Sequence, residues 1–263
     1  MTEWYIGTMG FSYKDWSGPF YPPDLASRDF LSYYSRIFNA AEVDSTFYGT
    51  PRTEVVKRWS VITPEGFKFC AKTPRLITHD QALVSVSALM EEFLGVMRSL
   101  DEKLGAILIQ FPPSFIAFHI DTLEAFLAEL PVDLRFAVEL RHPSWYTPWE
   151  RTAEMLSRYG TCWAATQYPG LPWKIYPTAS FLYLRWIGQH GSFQHHTHER
   201  IDRTKDLQNW WELIRPVADS FEAVFGFTNN DYAGFAPGTA NQFKRIAGLP
   251  VEEFSPPHQP ALF

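Results

Sequence analysis

Eight short apolar runs, most of them separated by enough chain for a helix, limit the architectures open to this sequence. They are "YIGTMG" (Tyr5 to Gly10), "AAEVDS" (Ala40 to Ser45), "FKFCAK" (Phe67 to Lys72), "GAILIQF" (Gly105 to Phe111), "RFAVEL" (Arg135 to Leu140), "CWAATQ" (Cys162 to Gln167), "FLYLRW" (Phe181 to Trp186) and "AVFGFTN" (Ala223 to Asn229). Each has the length and β-branched or aromatic content of a buried strand. Between most of them apolar residues return at helical spacing. The clearest case follows Gln81, where Leu83, Val86, Met90, Phe93, Leu94 and Met97 share one face. Another carries Leu207, Trp210, Trp211, Ile214 and Val217. One connection breaks the pattern. "YPGLPWKIYPTAS" (Tyr168 to Ser180) contains three prolines and reads as an irregular loop, yet it is long enough for a parallel crossover.

Strand–helix alternation implies a parallel sheet covered by helices. No glycine-rich phosphate fingerprint follows the first run, which disfavours a dinucleotide-binding sheet. Eight strands within 263 residues fit a closed (β/α)8 TIM barrel, with the irregular loop replacing the helix between strands six and seven. No linker, repeat or low-complexity segment interrupts it, so residues 1–263 read as one domain, and the tail "SPPHQPALF" as a loop-like end. The formal net charge of −6 argues against a sequence-independent nucleic-acid binder. There is no apolar run of membrane-spanning length and no basic start before an apolar core, which predicts a cytoplasmic protein. Cys70 and Cys162 sit within strand-like runs without metal-ligand spacing and read as buried free thiols.

Barrels place their sites at the carboxyl ends of the strands, where alternate residues point inward. In this chain those ends are polar. Strand two brings Glu42 and Asp44 to one side, with Val43 on the other. Strand three ends in Lys72, and strand four in Gln110 just before two prolines. Strand five sets Glu139 and Arg141 on one side, while Phe136, Val138 and Leu140 face the helices. Strand six ends in Gln167, strand seven in Arg185, and strand eight in Asn229 and Asn230. Polar groups gathered inside a barrel are costly unless they pair or bind something. They therefore form either a self-paired structural layer or a site. The rim loops add Tyr13, Trp16, Tyr48, His79, His142 and Trp145 as candidate walls of a pocket.

These same residues carry a resemblance. "GFSYKDWSGPFYP" (Gly10 to Pro22), "EVDSTFYGTP", "KTPRLITH" (Lys72 to His79), "LGAILIQFPPSF" (Leu104 to Phe115), "AVELRHPSW" (Ala137 to Trp145) and "NNDYAGFAPGTA" (Asn229 to Ala240) resemble, almost end to end, the motifs of the YecE-like family, domain of unknown function 72. Asp44 stands where that family's pattern has Asn, adding a negative charge. The resemblance implies a TIM barrel and supplies no reaction.

The residues themselves point first to an enzyme, a hydrolase or lyase, acting on a small anionic molecule by acid–base chemistry. Lys72, Arg141 and Arg185 are the cations to hold a carboxylate or phosphate. Glu42 and Glu139 are candidate general acids or bases, with His79 and His142 as further proton carriers. Gln110 and Asn229 can stabilise developing negative charge. The start of the final helix, after Gly234 to Gly238, is a further place for the anion beside Arg185 and Asn229. No cofactor motif is present. The one addition the acids and histidines suit is a divalent metal, as in phosphodiester hydrolysis, with Glu42, Asp44, Glu139, His79 and His142 as ligand types and "HHTHER" (His195 to Arg200) nearby as a solvated loop. Glycoside hydrolysis through paired carboxylates, a Schiff base at Lys72 and a non-catalytic binding barrel complete the alternatives.

Overall fold

A computed structural model describes residues 2–254, so the loop-like tail falls outside the described residues. Nine strands form one parallel sheet: β1 (Glu3–Met9), β2 (Ala40–Val43), β3 (Lys68–Lys72), β4 (Leu104–Gln110), β5 (Phe136–Glu139), β6 (Cys162–Trp163), β7 (Ala165–Gln167), β8 (Phe181–Trp186) and β9 (Ala223–Thr228). Their order is β6-β5-β4-β3-β2-β1-β9-β8-β7, and every pairing is parallel. The expected sixth strand is divided. Its first half pairs with β5 and its second half with β8, and the single residue Ala164 separates them. The sheet is thus a nearly closed barrel whose one seam lies at Ala164, where the chain leaves one neighbour and joins the other.

Helices α1 (Phe30–Ile37), α2 (Thr53–Ile62), α3 (Ser87–Met97), α4 (Ile120–Ala128), α5 (Trp149–Arg158), α6 (Thr204–Ile214), α7 (Asn230–Ala233) and α8 (Ala236–Ile246) accompany the strands. Residues 168–180 contain no helix, as their prolines predict. The helix expected after Gln81 starts later, at Ser87. Ala82, Leu83 and Ser85 take left-handed backbone angles instead, which ends the helical periodicity on its amino-terminal side. Leu83 and Val86 still reach the core, so their burial follows the apolar pattern although their backbone does not. At the other end Val217 lies beyond α6, which stops at Ile214.

The period of two along each strand sorts residues into two cores. Outward residues such as Ile6, Phe69, Ile107, Ile109, Val138, Leu182, Leu184 and Val224 pack beneath the helices. Inward residues fill the barrel, with small side chains on one wall (Ala40, Cys70, Ala106, Ala137) and rings on the other (Tyr5, Tyr183, Phe225, Phe227). Gly105 serves this division, because a Cβ there would come within 2.8 Å of the Phe225 ring. Both thiols are free and buried in this inner core. Burial pushes the Cys162 thiol up to about 12 and raises Cys70 as well, so neither is a ready nucleophile. A reductant such as dithiothreitol is therefore expected to leave the melting temperature unchanged in thermal denaturation. A drop of many degrees would mean that the cysteines cross-link something in solution.

Candidate active site at the barrel mouth

The last inward position of several strands carries a charge, and these charges meet. Arg185, on β8, is buried at the centre. Its Nε donates to Glu42 Oε2 at 2.9 Å and its Nη2 to Glu42 Oε1 at 2.6 Å, a bidentate pair across the barrel. Nη1 donates to Glu139 Oε2, and Nη2 also lies 3.4 Å from Met9 Sδ. Tyr183 Oη adds a bond to Glu42 Oε2 at 2.8 Å, and Thr166 Oγ1 one to Glu139 Oε2 at 3.2 Å. Arg141 Nε donates to the other Glu139 oxygen. Alternation puts all these side chains inside, and the length of Arg185 lets it span two acids at once.

The two carboxylates differ electrostatically. Burial pushes the Glu42 carboxyl up to about 7, and nearby Asp44 adds to that, against the pull of Arg185. Burial acts on Glu139 in the same direction, but Arg141 and Arg185 together outweigh it and hold its carboxyl at about 2. Both acids are fully buried and lie beneath the cavity described next.

Above this layer opens a cavity of about 560 Å³. Tyr13, Asp44, Tyr48 and Lys72 line it from the β1, β2 and β3 side, and Arg141, Arg185, Asn229 and Asn230 from the other. Lys72 is the unusual member. Its backbone is clamped by one buried hydroxyl: its N–H donates to Thr46 Oγ1 at 3.0 Å, and Thr46 Oγ1 donates to its carbonyl at 2.6 Å. Its Nζ sits 3.9 Å from the centre of the Phe47 ring and has no hydrogen-bond or ion-pair partner among the described residues. Burial, with Arg185 and Arg141 adding to it, lowers the ammonium to about 8, although Asp44 and Glu42 pull the other way. The guanidinium of Arg141 stacks at 4.7 Å on the Tyr168 ring. Only its Nε is engaged by an acid, which leaves its terminal nitrogens for a ligand.

Other candidate residues are placed elsewhere. Trp16 is buried beneath the rim and donates to Asn230 Oδ1 at 3.1 Å. Gln110 turns to the Phe111 carbonyl, at 2.6 Å. Gln167 accepts from Trp210 Nε1 at 2.8 Å and Tyr232 Oη at 2.7 Å, on the helix side of the sheet. His142 accepts the Ser144 N–H at 3.1 Å and caps the turn that follows, while Trp145 donates to the Phe115 carbonyl at 2.7 Å. His79 packs edge-on to Phe47 at 5.0 Å, and burial together with the Lys72 charge lowers it to about 4, so it is neutral at physiological pH. The helix start expected to meet an anion lies beside Glu199, whose Oε1 accepts from Thr239 Oγ1 at 3.4 Å. Arg185 is thus occupied by the protein's own carboxylates, and the first N–H of that helix, from Ala236, donates to Asn230 Oδ1 at 3.1 Å. The ligand types considered for a metal are not gathered: among the described residues no group of three His, Cys, Asp or Glu could hold one.

Beside the rim aromatics, Phe47, Asp231, His190 and His196 line the cavity. His196 Nε2 lies 3.6 Å from Asp231 Oδ1 and its Nδ1 3.9 Å from Asp15 Oδ2, so the loop after β8 folds back over the rim. Clustering of histidines in "HHTHER" was the only signal, and it does not say which of them turns inward. Phe47 stands three residues after Asp44, at the start of the rim loop. Nothing in the spacing of Asp231 marks it out.

The chain is similar to known proteins of one family. The profile described as "Protein of unknown function DUF72" matches residues 5–262. The UPF0759 protein YecE of Escherichia coli is 38% identical over 120 residues, covering 46% of this chain and 44% of YecE, so the match spans under half of that relative's length. A DUF72 family protein of Thermotoga maritima superimposes with a TM-score of 0.79 at 29% identity, over 94% of this chain and 99% of the other. One from Enterococcus faecalis superimposes with a TM-score of 0.77 at 22% identity, over 95% and 99%.

Proposed function

This chain belongs to the DUF72 family of proteins of unknown function, and from the mouth geometry we propose that it is an enzyme transferring protons on a small phosphate- or carboxylate-bearing molecule. One observation carries the reading. Lys72 brings a buried ammonium without a hydrogen-bond or ion-pair partner among the described residues, and Arg141 the unengaged end of a guanidinium, into the same cavity. A barrel interior gains nothing from leaving one cation unpaired and another only half engaged, whereas an anionic ligand would complete both. Arg141 offers the flat fork that matches a carboxylate or phosphate. Glu139 acts through Arg141 as a positioning residue, since its carboxylate fixes Nε and so aims the outer nitrogens.

Lys72 is the proton carrier. With its ammonium near 8, about a tenth of it is free amine at neutral pH, far more than for an ordinary lysine. That places it within reach of general-base work on a carbon or hydroxyl next to the anionic group. The buried pair of Arg185 with Glu42 and Glu139 forms the rigid, polar floor.

Calorimetric titration with inorganic phosphate and small organic acids tests the binding half. Wild type is expected to bind, and Arg141→Ala to lose about 1.5–3 kcal/mol of that affinity. Equal binding by both proteins, or none by wild type, would remove the anion reading. Turnover of phosphorylated and carboxylated metabolites, abolished by Lys72→Met, tests the catalytic half and separates an enzyme from a barrel that only binds.

A further inference from the structure

We propose that Lys72 is a covalent nucleophile, and that the substrate is a small aldehyde or ketone carrying a phosphate or carboxylate, which condenses with Nζ to a Schiff base. The inference rests on the anion reading above and goes beyond it, because holding an anion requires only the lysine's charge.

Four features of the geometry favour it. The Thr46 clamp on both backbone polar groups of Lys72 fixes where its side chain starts, so Nζ is delivered to one place. Nζ lines the cavity and no acceptor among the described residues holds it, so its lone pair, once the proton is lost, has no internal competitor. Arg141 stands in the same cavity as a cationic neighbour able to hold the substrate's anionic group and to favour the free amine. The Phe47 ring lies 3.9 Å from Nζ, and a face that attracts an ammonium attracts an iminium equally. Positive charge at nitrogen is therefore stabilised both before and after condensation, while the neutral amine between them is kept accessible by burial.

The step balances within the site. Lys72 first loses one proton, which passes through solvent in the cavity to the Asp44 carboxylate, whose Oδ1 lies 3.9 Å from Arg185 Nη2. Asp44 lines the cavity, and its buried Oδ1 holds no hydrogen bond. The amine lone pair then forms the N–C bond as the carbonyl π pair moves to oxygen, and that oxygen takes the proton back from Asp44, giving an N-protonated carbinolamine and a free Asp44 carboxylate. Proton transfer from nitrogen to Asp44, and from Asp44 to the hydroxyl, lets water leave with the C–O bond pair, and the nitrogen lone pair makes the C=N bond. Amine and carbonyl become imine and one water, with no oxidant or reductant. The resulting iminium can draw electrons from the adjacent carbon, which is the chemistry of carbon–carbon cleavage or of proton abstraction next to a carbonyl.

The test is reductive trapping. The full-length protein is incubated with pyruvate, glyoxylate or glycolaldehyde phosphate and sodium cyanoborohydride, then digested and mapped by mass spectrometry. The expected result is a gain at Lys72 equal to the carbonyl compound less one oxygen, at least tenfold faster than at the exposed Lys57. Inorganic phosphate is expected to suppress it, and acetaldehyde, which lacks an anionic group, to label Lys72 far less. Lys72→Met is expected to lose the modification. A second measurement on wild type does not depend on that variant folding: the rate of labelling at Lys72 should rise with pH and level off near 8, while that at Lys57 keeps rising. If phosphate binds by calorimetry but labelling is spread evenly over surface lysines, the covalent role is overturned and the anion reading stands. If phosphate does not bind either, both fall.

Discussion

Arg185→Met is expected to lower the stability of the fold by about 3–5 kcal/mol, because it removes the cation that, among the described residues, alone touches both buried carboxylates. Methionine keeps much of the apolar volume, so the loss is electrostatic more than a matter of packing. Glu42 then keeps only the Tyr183 hydroxyl, and Glu139 keeps Arg141 and the Thr166 hydroxyl. Neither acid can reach water from a fully buried position. The asymmetry between them predicts which second change helps. Glu42 loses its sole guanidinium, so Arg185→Met with Glu42→Gln removes the charge left with the poorer compensation and is expected to recover a measurable part of the loss. Adding Glu139→Gln instead would strand Arg141 and recover less. Urea denaturation of the two singles and the double closes the cycle, and coupling of about 0.5–3 kcal/mol is the scale for residues in direct contact. A single variant within about 1 kcal/mol of wild type would mean that solvent reaches these acids and that the layer is not a buried network. This outcome also separates two roles for Arg185. The sequence alone offered it as an anion ligand. Its bonds to Glu42 and Glu139 make it the floor of the site, and loss of ligand affinity in the variant would follow from loss of that floor.

Alternation says that Glu42, Lys72, Glu139 and Arg185 point inward, because the period of a strand is short and strict. It does not say which of them meet, since that depends on barrel register and on how far a long side chain reaches around the interior. Arg185 reaches both Glu42 on β2 and Glu139 on β5. The same limit explains the strand ends that left the mouth. Gln167 lies next in sequence to Tyr168, which stacks on Arg141, yet its own amide bonds Trp210 and Tyr232 among the helices. His142 follows Arg141 directly and is taken up as the cap of the Pro143–Tyr146 turn, which needs its ring nitrogen. Loops bring in what strand periodicity cannot foresee. Asp231 enters the cavity on the four-residue helix α7, which Gly234 ends in a left-handed conformation, and His196 comes from a loop with no periodic pattern. Helix boundaries fail for a related reason: Leu83 and Val86 are apolar at the right spacing, but left-handed angles at Ala82, Leu83 and Ser85 carry them into the core by another route.

Glu139→Gln is expected to cost about 3 kcal/mol at neutral pH and nearly nothing below pH 2, so its effect should fade as the solution is acidified. In the fold Glu139 takes up its proton near 2, against 4.5 for an ordinary glutamate. Between those values the unfolded chain binds more protons than the native one, and acid favours unfolding. The stabilisation is complete above about 4.5 and is lost as the pH falls toward 2. Glu42 works with the opposite sign. Burial raises it to about 7, so between 4.5 and 7 the native state holds a proton that the unfolded chain has released, and stability declines as pH rises across that window. Together the two carboxylates predict a stability maximum near pH 5, with an acid limb set by Glu139 and a neutral limb set by Glu42. Replacing each in turn should flatten only its own limb, because each removes one titration while leaving Arg185 a partner in the other acid. Urea midpoints of wild type, Glu139→Gln and Glu42→Gln from pH 2 to pH 8 would resolve the limbs. A wild-type profile that rises steadily from pH 5 to 8, or a Glu139→Gln profile with an undiminished acid limb, would show that other groups govern the acid response. In that event the division of labour assigned to these two glutamates would be wrong.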